Sequence, residues 1–135
     1  MSKSAIYVVN STTQSVADGG TIDLGVVQRR FGCNFALDNN AIRVAGAGYY
    51  DFSASFTVAP TAAGDVTITM YKDNTAIPGA ITTQTAAAAN DSVNLTITAL
   101  VREGCSCCDS FSNITFVLSG EPASITNVAI VGEKI

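Results

Sequence analysis

The feature of this sequence that most constrains its fold is a strict alternation of apolar and polar residues. From Tyr50 to Val58 every second residue is apolar, and the residues between them are aspartate, serine or threonine. Successive side chains of a β-strand point to opposite faces of a sheet, so the pattern predicts a strand with one buried face. A helix would need apolar residues three and four apart, and no segment shows a convincing stripe of that kind.

The same alternation recurs along most of the chain. Further predicted strands cover residues 65–71, 92–98, 114–118 and 125–131, with weaker candidates at 5–9, 21–24, 35–37 and 41–45. Turn-forming residues separate them, among them 18–20, 38–40, 46–48, 72–74 and Pro78-Gly79. Short strands at this spacing are typical of a sandwich or barrel. We therefore predict an all-β, antiparallel β-sandwich of roughly eight to ten strands.

The composition excludes several classes of function. The 135 residues include 11 acidic and 7 basic side chains, a net charge of −4, and no histidine. The scarcity of cations argues against binding nucleic acid, which needs clustered Lys and Arg to displace phosphate counterions. Because histidine is the most common general base and metal ligand, its absence predicts no catalytic residue, no cofactor and no enzymatic activity.

The chain shows neither a membrane-spanning segment nor a signal peptide. No apolar run approaches the ~20 residues that a transmembrane helix needs. The start, Met1-Ser2-Lys3-Ser4, leads directly into the apolar residues from Ile6 onward, without a basic region followed by a long apolar one. We therefore expect synthesis in the cytoplasm and no insertion into a membrane.

The low charge of the chain predicts self-association. Charged residues make up 13% of the sequence and hydrophobic residues 47%, whereas soluble domains typically contain about 25% charged residues. A sparsely charged surface is tolerated when other subunits cover part of it. An oligomer is therefore expected.

The four cysteines leave three interpretations open. They are Cys33 and the cluster of Cys105, Cys107 and Cys108. Four thiols suit a structural zinc site, but adjacent Cys107 and Cys108 project in different directions and the usual C-x2-C spacing is absent. A disulfide between Cys33 and the cluster would tie an early strand to a late loop. Free thiols are favoured, because the chain lacks a secretory signal.

Three segments together resemble the complement- and tumour-necrosis-factor-like jelly rolls. Residues 45–56 (AGAGYYDFSASF) are similar to a Gly-x-Tyr-x-Phe strand of that family, residues 71–79 (YKDNTAIPG) to the hairpin after it, and residues 123–130 to its last strand. The resemblance covers about residues 16–135. The chain differs from many members of the family because it lacks a collagen-like stalk. It implies a jelly roll of about ten strands that forms a tight homotrimer.

The resemblance also assigns roles to residues. In a threefold assembly one sheet of each protomer lies near the axis, so some strands are buried on both faces. Tyr49, Phe116, Val117 and Leu118 are therefore candidate trimer contacts.

The chain is expected to divide into two parts. Residues 1–10 would form an N-terminal strand or an anchoring segment, and residues 11–135 a single jelly-roll domain. Ile6, Tyr7, Arg29 and Arg30 are candidate contacts with a capsid.

Short phage proteins of Gram-positive hosts are the most similar members in character. This resemblance implies a structural virion protein, namely a capsid decoration or head-fibre trimer on the virion surface. Its expected partners are further copies of itself and either the major capsid protein or another virion protein. The alternative is a receptor- or carbohydrate-binding fibre-tip module, which would hold a host surface glycan or receptor with loops 38–40, 72–74 and 86–91 at one end of the sandwich. A soluble bacterial trimer with spore-coat or signalling duties also stays open.

Overall fold

The computed structural model describes residues 3–103 and 111–135, and within them the chain forms eleven β-strands and no helix. The strands are β1 (Ala5–Asn10), β2 (Gln14–Val16), β3 (Val26–Phe31), β4 (Phe35–Asp38), β5 (Ala41–Ala45), β6 (Gly48–Pro60), β7 (Gly64–Lys72), β8 (Thr75–Ala86), β9 (Val93–Glu103), β10 (Phe111–Gly120) and β11 (Ala123–Lys134). No helix that could cross a membrane is found in the described ranges.

The strands form two antiparallel sheets that pack face to face. Sheet A has the order β3-β1-β11-β6-β9, with β2 also pairing with β11, and sheet B has the order β4-β5-β10-β7-β8. Some strands that follow one another in the chain, such as β6 and β7 or β9 and β10, therefore lie in different sheets, whereas β4 and β5 or β7 and β8 are neighbours in one sheet. This confirms the predicted all-β sandwich of the jelly-roll type.

The core lies between the sheets and is built from the inward half of each alternation. β6 supplies six buried residues, Pro60 and the five that its alternation predicts: Tyr50, Phe52, Ala54, Phe56 and Val58. Across the core, the Phe56 ring lies 5.4 Å from the Phe116 ring, centroid to centroid. Such aromatic pairs stabilise a core beyond the area they bury.

One predicted strand is absent, and two strands lack a signal in the sequence. Thr21 forms a single bridge to Val117, while Ile22 and Leu24 fill the core from a segment without regular pairing. β2 is only three residues long, and all six residues of β3 are exposed. A strand without a buried face shows no alternation, so β3 gives no pattern to detect.

The predicted turn at Pro78-Gly79 is wrong, because both residues lie within β8. The predicted turn at residues 72–74 is confirmed, since Asp73 and Asn74, with φ angles of 51° and 67°, join β7 to β8. Those angles suit the two-residue turn that joins twisted antiparallel strands. β8 pairs only with β7, and an edge strand accepts a proline and a local irregularity.

The N-terminal residues form an integral strand. β1 lies between β3 and β11, and the side chains of Ile6 and Val8 are buried in the core. Residues Ala5–Asn10 are thus a strand of the sandwich, and the division of the chain at residue 10 stays a prediction. Ile6 has no exposed surface with which to contact a capsid, which corrects that assignment.

Candidate interaction surface

The four predicted trimer contacts do not lie together. Phe116 and Leu118 are fully buried between the sheets of one protomer, so neither side chain is available to a second copy, which corrects their assignment. Val117 is half-buried on the outer face of sheet B, opposite Thr69. Tyr49 is 50% exposed on the outer face of sheet A.

Three of the predicted capsid contacts are exposed near the β3 edge of sheet A. Arg29 lies opposite Tyr7 across β3 and β1, and both side chains point away from the core. Arg30 follows in the strand and approaches the carbonyl oxygen of Phe35 with Nη1 at 3.4 Å. Arg29 and Arg30 therefore place two cations at one edge of the sandwich.

The outer face of sheet A carries two neighbouring cross-strand rows without an ionisable carboxylate or amine. The first row runs from Tyr7 through Val131 and Ser53 to Thr98, and the second from Val9 through Ala129 and Ser55 to Thr96. We call these eight residues the uncharged face. A shallow depression of about 430 Å³ lies along its centre, with Tyr7 and Val131 beside it.

The uncharged face differs from the usual solvent side of an antiparallel sheet. Such a side normally carries many charged residues. Here Tyr7 is 38% exposed and Val131 46% exposed, while the neighbouring positions hold small Ser, Ala and Thr side chains. Small side chains allow a second surface to approach closely, and the two larger apolar groups supply area to bury.

Charges border the uncharged face at the end of its first row, where Arg29 lies opposite Tyr7, and along the row next to it. In the next row Asp51 and Glu133 lie directly opposite each other, followed by Leu100, which is 58% exposed. Like charges in direct cross-strand positions repel. The charged border and the uncharged centre together give this sheet a distinct contact surface.

Sequence reasoning missed most of the uncharged face. The alternation correctly places Ser53 and Ser55 outside the core. Serine at an outward position is equally expected on a solvent-exposed surface, so these residues do not by themselves indicate a contact with another protein. The informative signal is the set of outward positions without Lys, Glu or Arg on four separate strands. Only the strand order brings those positions together.

The loops predicted for glycan binding do not share one end of the sandwich. The turn at residues 73–74 follows the end of β7 at Lys72, whereas the loop after Ala86 adjoins the start of β7, where Gly64 pairs with Ala86. Since β7 runs the length of sheet B, these two loops lie at opposite ends. They cannot form one binding site.

A polar cluster at the other side of the molecule centres on Tyr50. Its hydroxyl donates to the carbonyl oxygen of Gly46 at 2.6 Å and receives the Asn34 amide at 3.3 Å. Asn34 also donates to the Ala45 carbonyl at 2.7 Å and accepts from the Ser4 hydroxyl at 2.5 Å. Burial raises the pKa of Tyr50 above its usual value. The cluster ties the N-terminus to two turns and has a structural role.

Replacing Tyr50 with phenylalanine is expected to lower the free energy of unfolding by about 1–2 kcal/mol, because the Asn34 amide and Gly46 carbonyl lose a partner. Because the folded pKa is raised, the contribution of Tyr50 is present below pH 10 and is lost as the pH rises through the folded value. The variant should therefore lose stability less steeply than the wild type above about pH 10. Urea denaturation measures both effects. Exposed Tyr49→Phe is the matched control, and equal urea midpoints for all three proteins would contradict the assigned role.

The cysteine predictions fall largely outside the described residues. Cys33 is exposed in the turn between β3 and β4, whereas Cys105, Cys107 and Cys108 lie outside the described ranges. Among the residues that are described, no three metal-binding side chains converge. The free-thiol, disulfide and zinc interpretations all remain predictions.

Comparison with solved structures identifies the architecture. No protein-family profile and no curated protein sequence matches the chain. The chain is similar to murine APRIL at pH 5.0, with a TM-score of 0.77 and 10% identity over 99% of this chain and 100% of that chain. It is also similar to the globular domain of the zebrafish complement 1qA protein, with a TM-score of 0.70 and 10% identity over 97% and 95% of the two chains.

A phage structural protein shares the same fold. Vertex protein P5 of phage PRD1 aligns with a TM-score of 0.64 and 17% identity, over 98% of this chain and 96% of that chain. At these identities the likeness establishes the fold alone. The jelly roll of complement- and tumour-necrosis-factor-like proteins, expected from the sequence, is thereby confirmed.

Proposed function

We propose that this chain is a non-enzymatic structural protein of a phage virion, which forms a homotrimer through the uncharged face of sheet A and decorates the particle surface. The observation that carries this proposal is the uncharged face itself. A monomer would leave Tyr7 and Val131 in water on a face whose eight residues carry no charge, with Arg29 beside Tyr7 and Glu133 in the next row. A second copy of the chain removes that surface from water.

Burial of this face by self-association also accounts for the composition of the chain. Outward positions on β6, β9 and β11 hold Ser, Thr and Ala where a solvated sheet would carry Lys and Glu. This face therefore accounts for part of the missing charge, and uncharged rows such as that of Val117, Thr69 and Ile81 on the outer face of sheet B account for another part. A homotrimer is the assembly that the family resemblance implies for this fold.

The β3 edge is the proposed contact with the capsid. Arg29 and Arg30 are exposed there, and within the described residues β3 pairs with a strand on one side only. Tyr7, which lies beside Arg29, is assigned to the trimer interface and not to this contact. Arginine is enriched at the centres of protein interfaces. The partner is the major capsid protein or another virion protein. The vertex protein among the structural neighbours supports a place on a virion.

Two measurements test the proposal. Light scattering coupled to size exclusion should give three times the 13.9 kDa mass of one chain. Purified protein should then co-sediment with particles of the phage that encodes it, after those particles have been stripped of the native protein. A monomeric mass, or particles that bind none of the trimer, would contradict the corresponding half of the proposal.

A further inference from the structure

A groove between the edges of the two sheets contains two arginines and no described acid. Its volume is about 340 Å³, and Arg30, Gly32, Cys33, Asn34 and Arg43 are among its lining residues. Arg30 comes from β3 in sheet A and Arg43 from β5 in sheet B. The groove is separate from the uncharged face, which lies on the outer side of sheet A.

Arg43 is held in a fixed orientation. Its guanidinium carbon lies 3.7 Å from the centre of the Phe111 ring. A guanidinium over an aromatic ring gains cation–π attraction and leaves the N–H groups at its edge free to bind. Arg43 donates no hydrogen bond to another described residue. Its donors are therefore oriented by Phe111 and unused by the described part of the chain.

Arg30 is held less tightly, on the opposite side of the groove. Nη1 of Arg30 lies 3.4 Å from the carbonyl oxygen of Phe35, a long hydrogen bond. The other polar side chain of the groove, Asn34, already has partners in Ser4 and Ala45. The unused hydrogen-bonding capacity of the groove therefore consists mainly of guanidinium N–H groups.

The absence of a described counter-charge is notable in this chain. Acidic residues outnumber basic ones by 11 to 7. Two of the seven cations nevertheless line one groove, and no described carboxylate forms a salt bridge with either of them. Two neighbouring guanidiniums repel unless an anion lies between them.

We propose that the groove binds a carboxylate group of a partner protein, with Arg43 as the bidentate anchor and Arg30 as the second cation. The planar edge of a guanidinium matches the two oxygens of a carboxylate, with two parallel N–H···O bonds. The net negative charge of the chain disfavours a polyphosphate such as nucleic acid. The site does not depend on trimer formation, so it is present in either oligomeric state.

Succinate serves as the probe in a titration at constant ionic strength, followed through the side-chain Nε–Hε signals of arginine by NMR. We expect saturable shifts at Arg30 and Arg43, and no shift at Arg102, an exposed arginine of β9. Arg43→Ala and Arg30→Gln should each weaken binding roughly tenfold or more, since each removes a charge-assisted hydrogen bond. The matched control, Arg102→Gln, should bind succinate as the wild type does.

Two further arms separate a carboxylate site from simple attraction of anions. Arg43→Lys keeps the charge and loses the planar edge, so it should bind succinate nearly as weakly as Arg43→Ala. Inorganic phosphate should bind less tightly than succinate. Binding that does not saturate, wild-type affinity in Arg43→Lys, or tighter binding of phosphate would overturn the proposal. Amide spectra that match the wild type outside the groove show that each variant is folded.

Discussion

A chain that lacks residues 1–10 is expected to be unfolded at 25 °C. β1 is hydrogen-bonded to β11 on one side and β3 on the other, so its removal exposes both neighbours. β3 has no other partner in sheet A and buries no side chain of its own. The deletion also removes Ile6 and Val8 from the core, each worth about 1.5–3 kcal/mol of burial. These losses are comparable with the total stability of a typical domain, about 5–15 kcal/mol.

Far-UV circular dichroism and urea titration of the shortened chain measure this outcome. The matched control removes residues 1–3 only and keeps Ser4, whose hydroxyl bonds Asn34 and whose carbonyl receives the Lys134 amide. That control should unfold at the same urea concentration as the full chain. A shortened chain that lacks residues 1–10 and still unfolds cooperatively would restore the anchoring-segment interpretation.

Prediction from sequence succeeds for strands that have one face in the core. β1, β6, β7 and β9 to β11 have one face in the core, and the core demands apolar residues at every second position. Tyr50, Phe52 and Phe56 are therefore found on the buried side, as the alternation predicts. β3 lies outside this rule, because pairing with β1 alone holds it and no residue pattern records that pairing.

The candidate surface could not be predicted in this way, because it depends on strand order. Tyr7, Ser53, Thr98 and Val131 form one row, although up to 124 positions separate them in the chain. Alternation says which side of a strand is buried, and it does not say which strands are neighbours. The same limit explains why the predicted contact of Phe116 with a second protomer is wrong. The apolar run at residues 116–118 does not show which of its side chains pack in the protomer's own core, and the structure places Phe116 there.

The largest effect on assembly is expected from Ser53→Arg, which should convert the proposed trimer into a folded monomer. Ser53 lies between Val131 and Thr98 at the centre of the uncharged face, and its side chain is exposed in one protomer. In a trimer joined through this face, arginine would be buried without a described partner charge. Uncompensated burial of a charge costs several kcal/mol, and symmetry repeats the cost at each interface.

Light scattering at micromolar protein concentration gives the mass, and circular dichroism establishes that the protomer is folded. The matched control is Thr83→Arg, an exposed position of β8 on the outer face of sheet B. It adds the same charge to the same fold and should leave the trimer intact. Ser53→Ala should also leave it intact, because alanine keeps the face small and uncharged. A trimeric Ser53→Arg protein would mean that the copies meet elsewhere, and dissociation by Thr83→Arg would move the interface to sheet B.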